Sequence, residues 1–332
     1  MHQKRPRGIR ALIAGALANL WANAGMWVVF CALFAGVSIF VPSFLTPFNM
    51  KALAVSVATV GMVSCTMLFC LASGHFDLSV ETILSMSGVL AAVVVTSTGN
   101  VLFGVLAGIA AGGVVGAVNG IVIAKFKINA LITTLATMQI VRGLGYLICR
   151  GEAVSVGNES FFALGASALF GIPTPVWITA VCFMVFGVLL NKTVFGRHTL
   201  AIGGNKEAAR LAGIDVFKTQ FGIFLMQGFV AGFAGVIVAS KMTSGQPRPP
   251  EGFALDVISA CVLGGVSLSG GVGTMTGAIV GVLIMGTVAN AMNLLNVDTF
   301  YQYVVRGAIL LAAVLFDKYG QARKGKRIAY TN

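Results

Sequence analysis

Apolar residues run along this chain in long blocks separated by short polar joints. A helix that crosses a bilayer needs about 20 mostly apolar residues, because the hydrocarbon core is about 30 Å thick. Such blocks fall at residues 26–41, 53–72, 78–95, 101–124 and 129–148, and again at 175–190, 221–240, 254–268, 274–294 and 303–316. Some are short, and 254–268 reads as a broken or re-entrant helix. The pattern predicts an all-α polytopic membrane protein of about ten transmembrane helices, with both termini on one side.

Composition supports lipid as the solvent. Hydrophobic residues make up 57% of the 332, and charged ones 10%, where a soluble domain carries about 25% charged. The net charge of +12 raises the question of nucleic acid. The basic residues sit in the joints and form no continuous basic face, so no nucleic-acid partner is expected. With the N-terminus inside, sixteen basic residues fall in inner segments: Lys4, Arg5, Arg7, Arg10, Lys125, Lys127, Lys192, Arg197, Lys206, Arg210, Lys218, Lys318, Arg323, Lys324, Lys326 and Arg327. Four fall in outer loops, Lys51, Arg150, Lys241 and Arg248. That bias predicts cytoplasmic termini. Three parts follow: a cytoplasmic or interfacial N-terminal segment, 1–25, a transmembrane domain, 26–318, and a basic cytoplasmic tail, 319–332. The tripeptide Ala22-Asn23-Ala24 imitates a signal-cleavage site, but the segment is expected to be retained. The six cysteines form no CxxC pair and lie mostly inside apolar blocks, as packing residues.

An internal repeat is suggested. AVNGIVIAKFKINA…QIVRG and TVANAMNLLNV…QYVVRG both place Asn in one helix and Gln, then Arg-Gly, in the next. The two copies run in opposite directions across the membrane, an inverted repeat of the transporter kind. Gly104, Gly108, Gly112, Gly116 and Gly120, four apart, share one helix face and allow another backbone to approach closely.

No enzyme constellation is present. The three histidines have no metal-ligand spacing, and neither a GxSxG nor a GxxxxGK[ST] phosphate loop occurs. No catalytic residue, metal or bound cofactor is therefore expected, and ATP, if it drives transport, is hydrolysed in another subunit. Polar groups within the spans are costly and usually face a cavity or a partner. Asp77, Asn119, Thr134, Gln139, Arg142, Asn290, Asn293 and Arg306 are the candidates for a translocation path. Amides and hydroxyls suit a neutral, hydroxyl-rich solute, and a proton-driven carrier would show more buried acids. Interhelical bonding is the alternative role for each.

One polar stretch interrupts the apolar blocks, IGGNKEAARLAGI at 202–214, in the inner loop 193–218. Asn205 is a helix N-cap, Glu207 sits in the first turn, and Gly213 ends the helix. Glu207 and Arg210 are spaced to pair. Ala208, Leu211 and Ala212, with Ile214, make a small apolar face. So short a helix is marginal alone. It rests on this protein's own inner surface, or it docks on a cytoplasmic partner.

FGRHTLAIGGNKEAARLAGI resembles the cytoplasmic coupling loop of ABC importer permeases, with Lys206, Glu207, Ala208, Ala209, Arg210, Leu211, Ala212 and Gly213 matching its EAA-type helix. GHFDLSV resembles the Gly-x-x-Asp-Leu-Ser segment of ribose-type sugar permeases, with His75 where sister permeases often carry Gly. His75 is read as without consequence. KINALITTLATMQIVRGL, MTSGQP, VISACVLGGVSLSGG and NAMNLLN are most similar to the L-arabinose branch, and the likeness covers 26–318. The resemblance implies a vitamin-B12/ribose-permease-like architecture in a bacterial inner membrane. It implies a homodimer with a second permease copy, a cytoplasmic ATP-binding subunit that uses ATP and Mg, and a periplasmic sugar-binding protein that holds most of the affinity. The implied solute is a monosaccharide, L-arabinose first, with ribose, galactose and xylose as alternatives. A stand-alone secondary transporter and a membrane anchor are the competing readings.

Overall fold

Without water, a backbone in lipid must satisfy its own hydrogen bonds, and apolar blocks therefore coil into helices. The computed structural model describes residues 9–329, and side chains over 25–319. Its helices are α1 (Ile9–Phe40), α2 (Pro47–Ala72), α3 (Val80–Thr98), α4 (Val101–Ala124) and α5 (Ala130–Cys149), then α6 (Glu159–Ala166), α7 (Thr174–Lys192), α8 (Val194–Gly204) and α9 (Lys206–Leu211), then α10 (Val216–Lys241), α11 (Phe253–Leu263), α12 (Met275–Leu294) and α13 (Thr299–Ala329). Side chains cap the starts: Thr46 accepts from Asn49 N–H, Asn100 from Phe103 N–H, and Asn129 from the N–H groups of Leu131 and Ile132.

Among the described residues eight helices are long and apolar enough to cross a membrane, and Gly25–Phe40 and Phe253–Leu263 are shorter apolar helices. The count of ten is thus approximate. The expected block 254–268 is corrected: its helix stops at Leu263, after 11 residues, about 16 Å. Gly264 and Gly265 break it. At the two ends of the chain, α1 continues without a break through residue 25 and α13 through residue 319. Residues 1–8, with Lys4, Arg5 and Arg7 of the charge argument, lie outside the described residues.

Helix α4 lies on α3 and α10 through its glycine face. A side chain on Gly104 or Gly108 would collide with α3, at the carbonyls of Ala91 and Ser87. One on Gly112 or Gly116 would collide with α10, at the carbonyls of Gly228 and Phe224, and Gly120 faces Phe221. Gly228 and Gly232 present the reciprocal surface, so two backbones touch with nothing between them. A second seam joins α11 to α12, where Gly281 meets the Ala260 carbonyl and Gly277 meets Gly264.

The predicted repeat has a structural counterpart. Helix α3 packs on α4 and α5, and α11 packs on α12 and α13. Each trio begins with a helix preceded by a non-helical stretch, 73–79 before α3 and 242–252 before α11, in which Ser73, Asp77, Ser79, Ser244 and Gly245 are buried. The second stretch descends along α3. Gly245 packs on Val89 and Ala92, and Glu81 Oε2 accepts from Ala254 N–H at 3.4 Å. From Val89 back to Glu81 is eight residues of helix, about 12 Å. Arg248 lies on this stretch, here called the re-entrant segment, and lines a cavity with Leu84 and Ser85 of α3. Strand β1 (Val154–Ser155) pairs with β4 (Ser244–Gly245), and β2 (Ala168–Leu169) with β3 (Ile172–Pro173), both antiparallel. The 150–173 connection is thereby stitched to the re-entrant segment.

The α4–α10 seam leaves no room for a methyl group. Gly112→Ala and Gly228→Ala should each lower the melting temperature in detergent, at an overpacking cost of about 1–3 kcal/mol. Gly36→Ala, with open space at its Cβ, should leave it unchanged.

Candidate coupling helix and intramembrane polar groups

Asn205 ends α8 and starts α9. Its Oδ1 accepts from the N–H groups of Glu207 at 3.1 Å and Ala208 at 2.9 Å. At the other end Gly213 takes φ +83°, its N–H donates to the Arg210 carbonyl, and Ile214 N–H donates to the Ala209 carbonyl. That paired arrangement is a Schellman stop, and glycine suits its left-handed position. A six-residue helix thus has both ends closed.

The helix is seated from one side, by its own Ala209 and by the last turn of α8, Ile202 to Gly204. Ala209 and Ile202 are buried. Gly203 abuts the Ala72 carbonyl at the end of α2, and Gly203 and Gly204 lie against Gly270 and Gly271. The other side is open: Glu207, Ala208, Arg210, Leu211 and Ala212 are exposed, with Leu211 at 76%. Arg210 Nε donates to Glu207 Oε1 at 3.0 Å, and this bond holds the Glu207 carboxyl below its ordinary range and raises Arg210. A cavity of about 430 Å³ beside the helix is lined by Ala124, Lys127, Lys206, Glu207, Arg210, Val216 and Phe217. Lys206 reaches inward to Gln220 Oε1 at 3.4 Å, and desolvation lowers its ammonium, with Lys127 adding to the shift.

The eight candidate path residues form separate layers rather than one pocket. Asp77 and Asn119 are fully buried around Ser79. Asp77 Oδ1 accepts from Ser79 N–H at 2.9 Å and Oγ–H at 2.6 Å, and Asn119 Nδ2 donates to Ser79 Oγ at 2.9 Å. Asp77 Oδ2 and Asn119 Oδ1 have no partner among the described residues. Arg142 lies twelve residues into α5, about 18 Å from its start, and pairs with Glu81 at 3.6 Å. Arg306 on α13 pairs with Asp256 at 2.8 Å, beside a cavity of about 80 Å³. Asn290 exchanges two hydrogen bonds with Asn49, at 2.8 and 2.9 Å, and Asn293 Oδ1 accepts from Gln302 Nε2 at 3.0 Å. Thr134 bonds its own helix at the Leu131 carbonyl, and Gln139 is exposed on α5.

Sequence reasoning misses Glu81 and Asp256, although each is a lone acid inside an apolar block. Each stands in the first turn of the helix that opens its trio, and each holds the Arg of an Arg-Gly pair on that trio's third helix. It also misses Asn49, Gln302, and Glu251, whose Oε2 accepts from Tyr303 at 2.8 Å. A cavity of about 290 Å³ lies between α3, α10 and the re-entrant segment, lined in part by Ser85, Gln246 and Arg248.

Removing one partner of such a pair strands the other. Arg306→Leu should cost about 1–3 kcal/mol, below the ~3–5 kcal/mol of a fully buried pair because both side chains keep some exposure. Asp256→Leu with Arg306→Leu should recover most of that loss, as read by melting the single and double variants in detergent.

Residues 49–314 match the family model described as "Branched-chain amino acid transport system / permease component". The L-arabinose transport system permease protein AraH of Escherichia coli (strain K12) is 60% identical over 309 residues, 93% of this chain and 94% of that one. The L-arabinose ABC transporter permease protein AraH of Azospirillum brasilense is 53% identical over 305 residues, 92% and 90% of the two chains. The ribose import permease protein RbsC of Bacillus subtilis (strain 168) is 44% identical over 284 residues, 85% and 88%. No solved structure matches. With its model matched over most of the chain and such relatives aligned nearly end to end, this multi-pass membrane protein belongs to that family of transport-system permease components.

Proposed function

We propose that this chain is the permease subunit of an ATP-binding-cassette importer that carries L-arabinose across a bacterial inner membrane. The carrying observation is the outward apolar face of α9. Ala208, Leu211 and Ala212 are left uncovered by a helix that is otherwise fully capped and seated. An apolar face with Glu207 and Arg210 at its edge fits a cleft on a cytoplasmic ATP-binding subunit better than water.

In this reading ATP and Mg bind the partner, and this chain performs no covalent chemistry. Closure of the ATPase pair pushes α9, and the seat at Ala72 and Gly270–Gly271 carries that push into α2 and the turn before α12. A second copy of the chain completes the pore, with both termini in the cytoplasm. A periplasmic binding protein delivers the sugar to the opposite face, near the 150–173 connection. The layered amides and ion pairs, Asp77 to Arg306, offer passing hydrogen bonds rather than one tight pocket. Arabinose is favoured over ribose because the arabinose permeases are 53–60% identical and the ribose permeases 34–44%.

The test is ATP-dependent uptake in proteoliposomes holding the permease, its ATPase and its binding protein. Leu211→Glu and Glu207→Lys should each cut L-arabinose uptake about tenfold or more, a loss of about 1.4 kcal/mol in productive docking, with melting unchanged. Ribose, galactose and xylose should enter more slowly. Normal uptake by both variants would overturn the assignment of α9.

A further inference from the structure

We propose that Gln220 and His75 form a directional hydrogen-bonded bridge that carries movement of the coupling helix into the turn before α3, which makes both of them positioning residues for transport. The inference rests on the reading of α9 as the coupling helix. Lys206 is the first residue of α9, and its Nζ donates to Gln220 Oε1 at 3.4 Å. Gln220 is fully buried on α10. Its Nε2 lies 3.2 Å from His75 Nε2, and His75 Nδ1 lies 2.9 Å from the Ser73 carbonyl.

These contacts admit one assignment of protons. A carbonyl only accepts, so Nδ1 of His75 carries the hydrogen that points at Ser73. In the neutral ring Nε2 then has a lone pair, and it accepts from the Gln220 amide NH₂. That fixes the amide with Oε1 toward Lys206, as an ammonium requires. Every donor in the series points the same way, from Lys206 to Gln220 to His75 to Ser73.

The far end of the bridge is well connected. Ser73 caps α2, and its Oγ donates to the Cys70 carbonyl. Two residues past His75, Asp77 holds Ser79, which in turn holds Asn119 of α4. Val80 then opens α3, and the next residue, Glu81, grips Arg142 and the first turn of α11. Helix α9 is covalently next to α10 but more than a hundred residues from this turn. The bridge joins them directly.

The same geometry makes the bridge depend on the ring's charge. A doubly protonated His75 donates from Nε2, so the amide must turn over to meet it. Its NH₂ then faces the Lys206 ammonium, and one contact breaks. Burial, reinforced by the charge of Lys206, lowers the ring's affinity for protons against the pull of the Ser73 carbonyl. Lys206 from α9 and Lys127 from the turn after α4 line the same cavity as His75, of about 300 Å³. Asp77 follows on the same turn, and Phe224 packs edge-on to the ring.

The experiment measures ATP hydrolysed per L-arabinose imported by the complete complex in proteoliposomes. The range runs from about pH 8 to about pH 5.5, across the ordinary histidine value of about 6.5. Gln220→Leu and His75→Gly should each raise the ratio at least about fivefold, the low end of coupling between linked sites. Wild-type coupling should fall toward acid pH, and His75→Gly should lose that dependence. Gln220→Glu should invert it, because a carboxylate accepts from a protonated ring while still accepting from Lys206. A purely structural role lowers melting without inverting the profile. Wild-type ratios in Gln220→Leu and His75→Gly, or an unchanged profile in Gln220→Glu, overturn the bridge. Leu211→Glu in the same assay separates the two ideas. If it uncouples while the bridge variants do not, only the bridge fails. If both Leu211→Glu and Glu207→Lys couple normally, the assignment of α9 fails and the bridge falls with it.

Discussion

The fold depends on one constraint: a polar group within the bilayer must find its partner in the protein. Helices meet it for the backbone, and the non-helical stretches meet it in part by packing, as Gly245 does on α3 and Asp77 does by holding Ser79. Side chains meet it in reciprocal pairs, Asn49 with Asn290, Glu81 with Arg142, Asp256 with Arg306. Each pair joins two helices, and lipid supplies no alternative partner for its polar atoms.

Two kinds of joint result. Glycine seams between α4 and α10 and between α11 and α12 bring backbones into contact with no side chain to rearrange. Polar joints, by contrast, connect through atoms that can exchange partners. The seams hold each part of the bundle as a unit. Polar joints stand at the opening of α3, at the opening of α11, and where the end of α12 meets α2 and α13. A machine that alternates between two shapes needs both kinds.

Much of this was legible in the chain. The block 101–124 coincides with α4 at both ends, because Asn100 caps it and the apolar run stops at Lys125. Asn205 and Gly213 announce α9 for the same local reasons. Local rules fail where a long-range partner decides. Nothing near residue 254 says that its N–H will meet Glu81, 173 positions earlier, and the early end of α11 is set by its glycine stop. His75 looks idle in the sequence, since its ring partner Gln220 lies 145 positions away. Acids in apolar blocks were the signal available for Glu81 and Asp256. Their arginines carry the repeat motif, and the acids lie outside it.

The paired acids have an electrical consequence. Glu81 and Asp256 are each matched by one arginine, Arg142 and Arg306, so each pair is neutral as a whole. A single charge moved across the membrane exchanges about 2.3 kcal/mol with each 100 mV of potential. Helices that shift with their ion pairs intact move no net charge, and a sugar adds none. Movement of an intact pair therefore exchanges no net energy with the membrane potential, unlike movement of a lone buried acid or base.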